Sequence, residues 1–155
     1  MNRLDSRIRW LWIGRAVLTA AVLAGIVFGA GRVADPAWLP GWAPAAVFVA
    51  FAGLGTLSAV LRYRAWRFEV REDSLYLERG VLTKVRTVVP FVRIQHVDTA
   101  RSPTERLAGL ASTVVYTAGS RGADVSVPGL TPSDADDLRE RLKRLAIRSE
   151  GEDAV

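Results

Sequence analysis

The sequence has no cysteine and a single histidine, His96, among its 155 residues. The first absence excludes disulfide frameworks, iron–sulfur ligation, thiolate zinc sites and cysteine nucleophiles. The second excludes histidine-rich zinc sites. Charge is scarce over one long stretch: the 46 residues from Ala16 to Leu61 carry only Arg32 and Asp35, and the other 35 of the 37 charged residues lie outside it.

What the chain does have is 50% hydrophobic residues and a net charge of +5, with a pI near 10.4. A basic balance invites a nucleic-acid reading, and the distribution of charge argues against it. Through Arg67 there are eight arginines and two acids, a balance of +6; from Phe68 onward there are 13 basic and 14 acidic residues, a balance of −1. The surplus belongs to the hydrophobic half, so nucleic acid is not an expected partner.

Two uncharged runs dominate that half. Ala16–Gly31, extended back to Leu11 with Arg15 able to snorkel, gives about 20 residues, enough to cross a hydrocarbon core of roughly 30 Å at 1.5 Å per residue. Trp42–Leu61 gives a second run of similar length. The segment RVADPAWLPG between them is rich in Pro and Gly and reads as a short loop. The expectation is a transmembrane hairpin with spans at about 11–31 and 42–61. A pair of buried core helices would need more polar cover than this chain supplies. A signal peptide cleaved near Val33-Ala34 is argued against by the second full span.

Aromatic and basic residues frame the spans. The five tryptophans, Trp10, Trp12, Trp38, Trp42 and Trp66, all fall near span ends, where indole settles at the headgroup level. Tyr63 joins this belt. Arg3, Arg7, Arg9 and Arg15 precede the first span, and Arg62, Arg64, Arg67 and Arg71 follow the second, against only Arg32 in the loop. The positive-inside rule places both termini in the cytoplasm, at the inner cell membrane. Ala21, Gly25 and Gly29 recur at four-residue steps and offer a small-residue face for close helix packing, within the chain or between copies. Neither span carries an ionisable residue near its centre, which argues against transport, although an oligomer could line a pore.

From Trp66 the pattern becomes short strands. Trp66, Phe68 and Val70 alternate with Arg67, Glu69 and Arg71, a period of two. Further strands are expected at Leu75–Glu78, from Val81 to a stop at Pro90, at Val92–Thr99, at Leu110–Thr117 and at Asp124–Val127. Ser102–Gly109 reads as a loop with one helical turn, and Gly119–Gly122 as a turn. A helix follows, with Thr131 as N-cap, Pro132 at its first position, and Asp134, Asp136 and Asp137 in its first turn. Arg141, Lys143, Arg144 and Arg148 load its end, and Ala135, Leu138, Leu142 and Leu145 form its apolar stripe. The acids are helix capping rather than a metal site. The expected organisation is an N-terminal flank with two spans over 1–65, a cytoplasmic domain over 66–148, and a polar tail over 149–155. The fold class is α+β: a two-helix membrane hairpin, then an antiparallel β-barrel or sheet closed by a C-terminal α-helix, the logic of the pleckstrin-homology (PH) superfold.

The series Val89-Pro90, Arg93-Ile94-Gln95-His96-Val97-Asp98-Thr99, Pro103, Arg106, Gly109-Leu110 and Thr117-Ala118-Gly119 resembles the prokaryotic PH-like family of YdbS-type membrane proteins. The resemblance covers about Arg9 to Leu145. Ser102 departs from it, since the family often has Gly before that proline. The resemblance implies a PH-like domain, no catalysis, and a sister protein with several such domains acting beside this one in the membrane. The excess of arginine over lysine, 19 to two, agrees with a GC-rich prokaryotic genome.

The candidate interaction or structural motif is Arg93, Gln95, His96, Asp98 and Arg106. His96 and Asp98 share one face of a strand, and with Ser102 or Ser112 they could be drawn as a triad. No G-x-S-x-G elbow is present, and a structural hydrogen-bonded pair is the simpler reading. Arg93 and Gln95 would bind a partner or an anionic headgroup, or brace the loop before Pro103. No phosphate loop, dinucleotide fingerprint or metal-ligand spacing occurs. The sequence thus points to a non-enzymatic membrane-anchored module without cofactor. Its expected partners are membrane lipids and either a membrane protein or further copies of itself. Anionic-lipid sensing through the flanking arginines is the alternative, and a membrane enzyme or pore subunit comes after both.

Overall fold

The computed structural model describes residues 2–34, 39–118 and 124–152. Residues 35–38 of the interspan loop, Trp38 among them, the Gly119–Gly122 turn and the last residues of the tail lie outside them. The chain divides into two units, Arg9–Leu61 on one hand and Met1–Ile8 with Arg62–Val155 on the other.

The first unit is made of helix α1 (Ser6–Ala34), which enters it at Arg9, and helix α2 (Ala43–Ala65), which leaves it at Leu61. Both are long and apolar enough to cross a membrane, and only 6% of each apolar window is buried. A core helix of a soluble protein would be mostly covered, so the low burial favours the membrane reading. Val22, Ile26 and Phe28 on α1, and Val49, Phe51 and Leu54 on α2, are exposed, as lipid-facing residues should be. The helices approach closely where Gly55 faces Ala16: a β-carbon on Gly55 would lie 2.7 Å from that of Ala16. This is not the face expected from Ala21, Gly25 and Gly29, because β-carbons on Gly25 and Gly29 would meet nothing within 4 Å. Within the chain, close approach is set by where the two helices cross rather than by the longest series of small residues.

Among its described residues the second unit holds six strands in two antiparallel sheets. One has the order β1 (Arg67–Val70), β2 (Ser74–Arg79), β3 (Val85–Pro90); the other has β4 (Ile94–Ala100), β5 (Ala111–Thr117), β6 (Val125–Leu130). The two sheets are separate, so the barrel is not closed. At the β3–β4 junction, Pro90 ends the ladder and a single 3-10 turn, Phe91–Arg93, redirects the chain. Val81 lies in the turn before β3, not in the strand, because Gly80 turns the chain there at φ 101°. β6 continues past Pro128, where the register shifts by one residue and Gly129 takes φ 65°; a bulge is where a strand tolerates proline.

The core is filled by Leu75, Leu77, Phe91, Leu110, Val115, Val127 and Leu142, all with under 2% exposure. Leu142 comes from helix α4 (Pro132–Glu152), which packs on β4, β5, β6 and the 3-10 turn. Its N-cap is as expected, with the Asp134 amide donating to Thr131 Oγ1 at 3.1 Å. The helix continues through Ser149 to Glu152. Buried Thr113 is satisfied by donating to the Ala135 carbonyl at 3.1 Å.

The N-terminal flank is part of this unit. Asn2 bridges to Phe68 at the outer edge of β1, with backbone bonds of 2.7 and 3.1 Å. The Asp5 amide donates to the Gly129 carbonyl in β6 at 2.7 Å. Leu4 and Ile8 are both buried, and the Tyr63 hydroxyl donates to the Leu4 carbonyl at 3.1 Å. Residues 2–8 therefore fasten the β1 edge of one sheet to the β6 edge of the other.

Candidate interaction surface on the fourth strand

Among the described residues β4 pairs with β5 alone, which makes it an edge strand. Its register carries a bulge: Ile94 pairs with Thr117 and His96 with Tyr116, leaving Gln95 as the extra residue. The bulge resets the alternation, so Ile94 is buried while His96 two positions on is exposed. His96 and Asp98 then share a face, and His96 Nε2 lies 2.8 Å from Asp98 Oδ1, with side chains 67% and 49% exposed. Exposed pairs of this kind contribute little to stability, about 0–1 kcal/mol. The His96 ring tilts against Tyr116, with centroids 6.1 Å apart.

Between β4 and α4 runs a groove of about 480 Å³. β4 contributes Ile94 to Asp98, and α4 contributes Arg139, Glu140, Lys143, Ala146 and Ile147. Its floor is apolar and its rim carries both signs of charge. Thr99 Oγ1 donates to Asp136 at 3.0 Å, and Arg139 pairs with Asp136 at 3.6 Å and with Glu140 at 3.1 Å, so the α4 wall is tied to the strand. Of the motif residues, Gln95, His96 and Asp98 meet here. Arg93 and Arg106 do not line the groove: Arg93 ends the 3-10 turn, where its carbonyl accepts from the Ala118 amide at 2.9 Å, and Arg106 is exposed on the short helix α3 (Pro103–Leu107).

The loop before β5 is braced by residues outside that motif. Ser102 caps α3 in a reciprocal capping box, its amide donating to Glu105 Oε2 at 2.9 Å. Its φ of −65° needs no glycine, which accounts for serine at this position. Ser112 Oγ also donates to Glu105, and Arg101 Nε donates to the Leu110 carbonyl at 3.2 Å. Burial alone would raise the Glu105 pKa. The hydrogen bonds from Ser112 and Ser102, with the charge of Arg101, outweigh it and hold the carboxyl below its ordinary value of 4.5. The spacing Ser-x-x-Glu was the available signal for this brace. Both serines imagined in a triad are thereby directed at Glu105, while His96 is directed at Asp98.

Among the tryptophans, Trp10 and Trp42 are exposed and Trp12 is half-buried. Trp66 departs from its expected place in the interfacial belt, being only 4% exposed within the domain. It opens the inward face that continues at Phe68, and the period-two pattern prevails over proximity to the span. Arg62, Arg64 and Arg67 are exposed.

Two apolar helices followed by two antiparallel sheets and a C-terminal helix define a membrane protein with a PH-like domain. The chain belongs to the bacterial PH domain family, whose model matches residues 11–146, taking in α2 and most of α1. It is similar to the UPF0699 transmembrane protein YdbS of Bacillus subtilis (strain 168), with 37% identity over 86 residues. That match covers 56% of this chain and 52% of the relative, about half its length. No solved structure gives a significant match.

Proposed function

We propose that this protein is a non-enzymatic assembly module held at the cytoplasmic face of the cell membrane, where the β4–α4 groove receives a protein segment. The observation that carries this reading is the β4 edge: a strand end-paired on one side only, beside a groove with an apolar floor and a charged rim. An extended segment added to such an edge gains main-chain hydrogen bonds, and alternate side chains fill the adjacent groove. The partner is a membrane protein bearing several PH-like domains, or another copy of this chain. Gln95, His96 and Asp98 contact it directly. Arg93 and Arg106 lie outside the groove. Both termini face the cytoplasm, as the arginine distribution directs.

Purification of the full-length protein in mild detergent tests the proposal. It predicts a stoichiometric membrane-protein partner or a defined oligomer, and a monomer without partner would overturn it. Reporter fusions at Ala37 and Val155 test the orientation: a reporter active only outside the cytoplasm should work at Ala37 and be silent at Val155.

A second reading, anionic-lipid sensing, is favoured by the exposed series Arg62, Arg64, Arg67 and Arg71. Such residues near an anionic surface contribute roughly 1 kcal/mol each. Equal binding of the full-length protein's arginine-flanked face, read by fluorescence, in vesicles with and without anionic lipid would set it aside.

A further inference from the structure

Leu82 is 99% exposed, and Val81 and Val85 are each 41% exposed. These residues form the tip of the β2–β3 hairpin and the start of its return strand. Gly80 makes the sharp turn into the tip at φ 101°, where a β-carbon would collide with the Thr83 carbonyl. Arg79, Lys84 and Arg86, all exposed, surround the apolar tip; Arg86 lies 3.9 Å from Glu78. An apolar apex with a basic collar is unfavourable in water and matches a bilayer whose surface is anionic.

The strand register shows which end of the sheet this tip occupies. α2 ends at Ala65 and β1 starts at Arg67. Arg67 pairs with Glu78, the residue before Arg79, and Arg79 pairs with Val85. The 80–84 turn therefore projects from the end of the sheet at which the chain arrives from α2, only a few residues beyond the level of Arg67 at about 3.3 Å per residue. The opposite end carries the turn Arg71-Glu72-Asp73, with two acids and one base, so Arg71 lies away from the end that α2 joins. The end joined to the membrane helix thus pairs an apolar tip with a surplus of basic residues, Arg79, Lys84 and Arg86 against Glu78.

We infer that the Val81-Leu82 tip inserts into the surface of an anionic bilayer and, with α2, forms a second point of membrane attachment for the domain. Leu82 and Val81 enter the apolar side of the headgroup boundary, and Arg79, Lys84 and Arg86 meet lipid phosphates. This attachment is independent of whatever occupies the β4–α4 groove.

The absence of native cysteine makes the test direct. Leu82→Cys and, as control, Glu72→Cys each carry one environment-sensitive fluorophore on the full-length protein, reconstituted in vesicles containing phosphatidylglycerol. The inference predicts a blue-shifted label at position 82, quenched by nitroxide on lipid acyl chains, and an unquenched label at 72. Lys84→Gln should lower the inserted population about fivefold, the effect of one cation near an anionic surface, and vesicles of phosphatidylcholine alone should lower it further. A water-like, unquenched label at 82 overturns the inference. So does a blue shift without lipid quenching, which would mean that protein covers the tip. Equal quenching in both vesicle types overturns the role assigned to the basic collar.

Discussion

Gly129 and Ile8 meet so closely that a β-carbon on Gly129 would lie 2.8 Å from the Ile8 β-carbon. The contact joins the β6 bulge to the first turn of α1, the helix that goes on to enter the membrane. It makes residues 2–8, the N-terminal flank with the first turn of α1, part of the PH-like domain, although some fifty residues of membrane hairpin separate them in sequence from β1.

Gly129→Ala should therefore destabilise the domain in two ways. Alanine is strained at φ 65°, and its methyl group collides with Ile8. Left-handed strain costs about 1–2 kcal/mol, and overpacking typically about 1–3 kcal/mol. Thermal unfolding of the detergent-solubilised protein should show a lowered midpoint.

Ile8→Ala should cost about 2–5 kcal/mol, the usual range for emptying a buried aliphatic site. A fragment of residues 66–148 alone should fail to fold cooperatively, because it exposes the surfaces that Leu4 and Ile8 cover. Circular dichroism and proteolysis of the two proteins would show it.

Much of this architecture was legible in the sequence. Apolar runs in a setting without charge mark the helices, period-two alternation marks β1, and Thr131-Pro132 marks the start of α4. These signals are local. The N-terminal strap was not legible, because its register depends on a bridge from Asn2 to Phe68 across the whole hairpin. The β4 bulge was hidden for a similar reason: an inserted residue shows only against the partner strand, where His96 opposes Tyr116. Trp66 had two local readings, span end and inward strand face, and packing decided between them. In the candidate site, the His96–Asp98 pair followed from spacing. The groove did not, since Lys143 and Ile147 reach it from α4 through tertiary packing alone.

Glu105 gives the loop a pH dependence with a defined sign. Its folded pKa is lowered, so it contributes stability that is fully present above its ordinary value of 4.5 and is lost as pH falls through the lower folded value. Glu105→Gln should remove this component and leave the midpoint less sensitive to acid below pH 4.5. Unfolding midpoints of both proteins across acidic pH provide the check.

His96→Ala should leave the fold nearly intact, with a stability change within about 1 kcal/mol as for exposed ion pairs. Partner recovery in mild detergent should nevertheless fall, because the substitution removes one wall of the groove mouth. A large drop in unfolding midpoint would place His96 in the structural framework instead.

Photocrosslinking in intact membranes tests the central claim most directly, with a photoreactive residue at Gln95, inside the β4–α4 groove, or at Arg106, outside it. The account predicts a discrete protein adduct from position 95, either a membrane protein or a second copy of this chain, and none from position 106. Equal labelling from both positions, or lipid adducts alone from position 95, would contradict it.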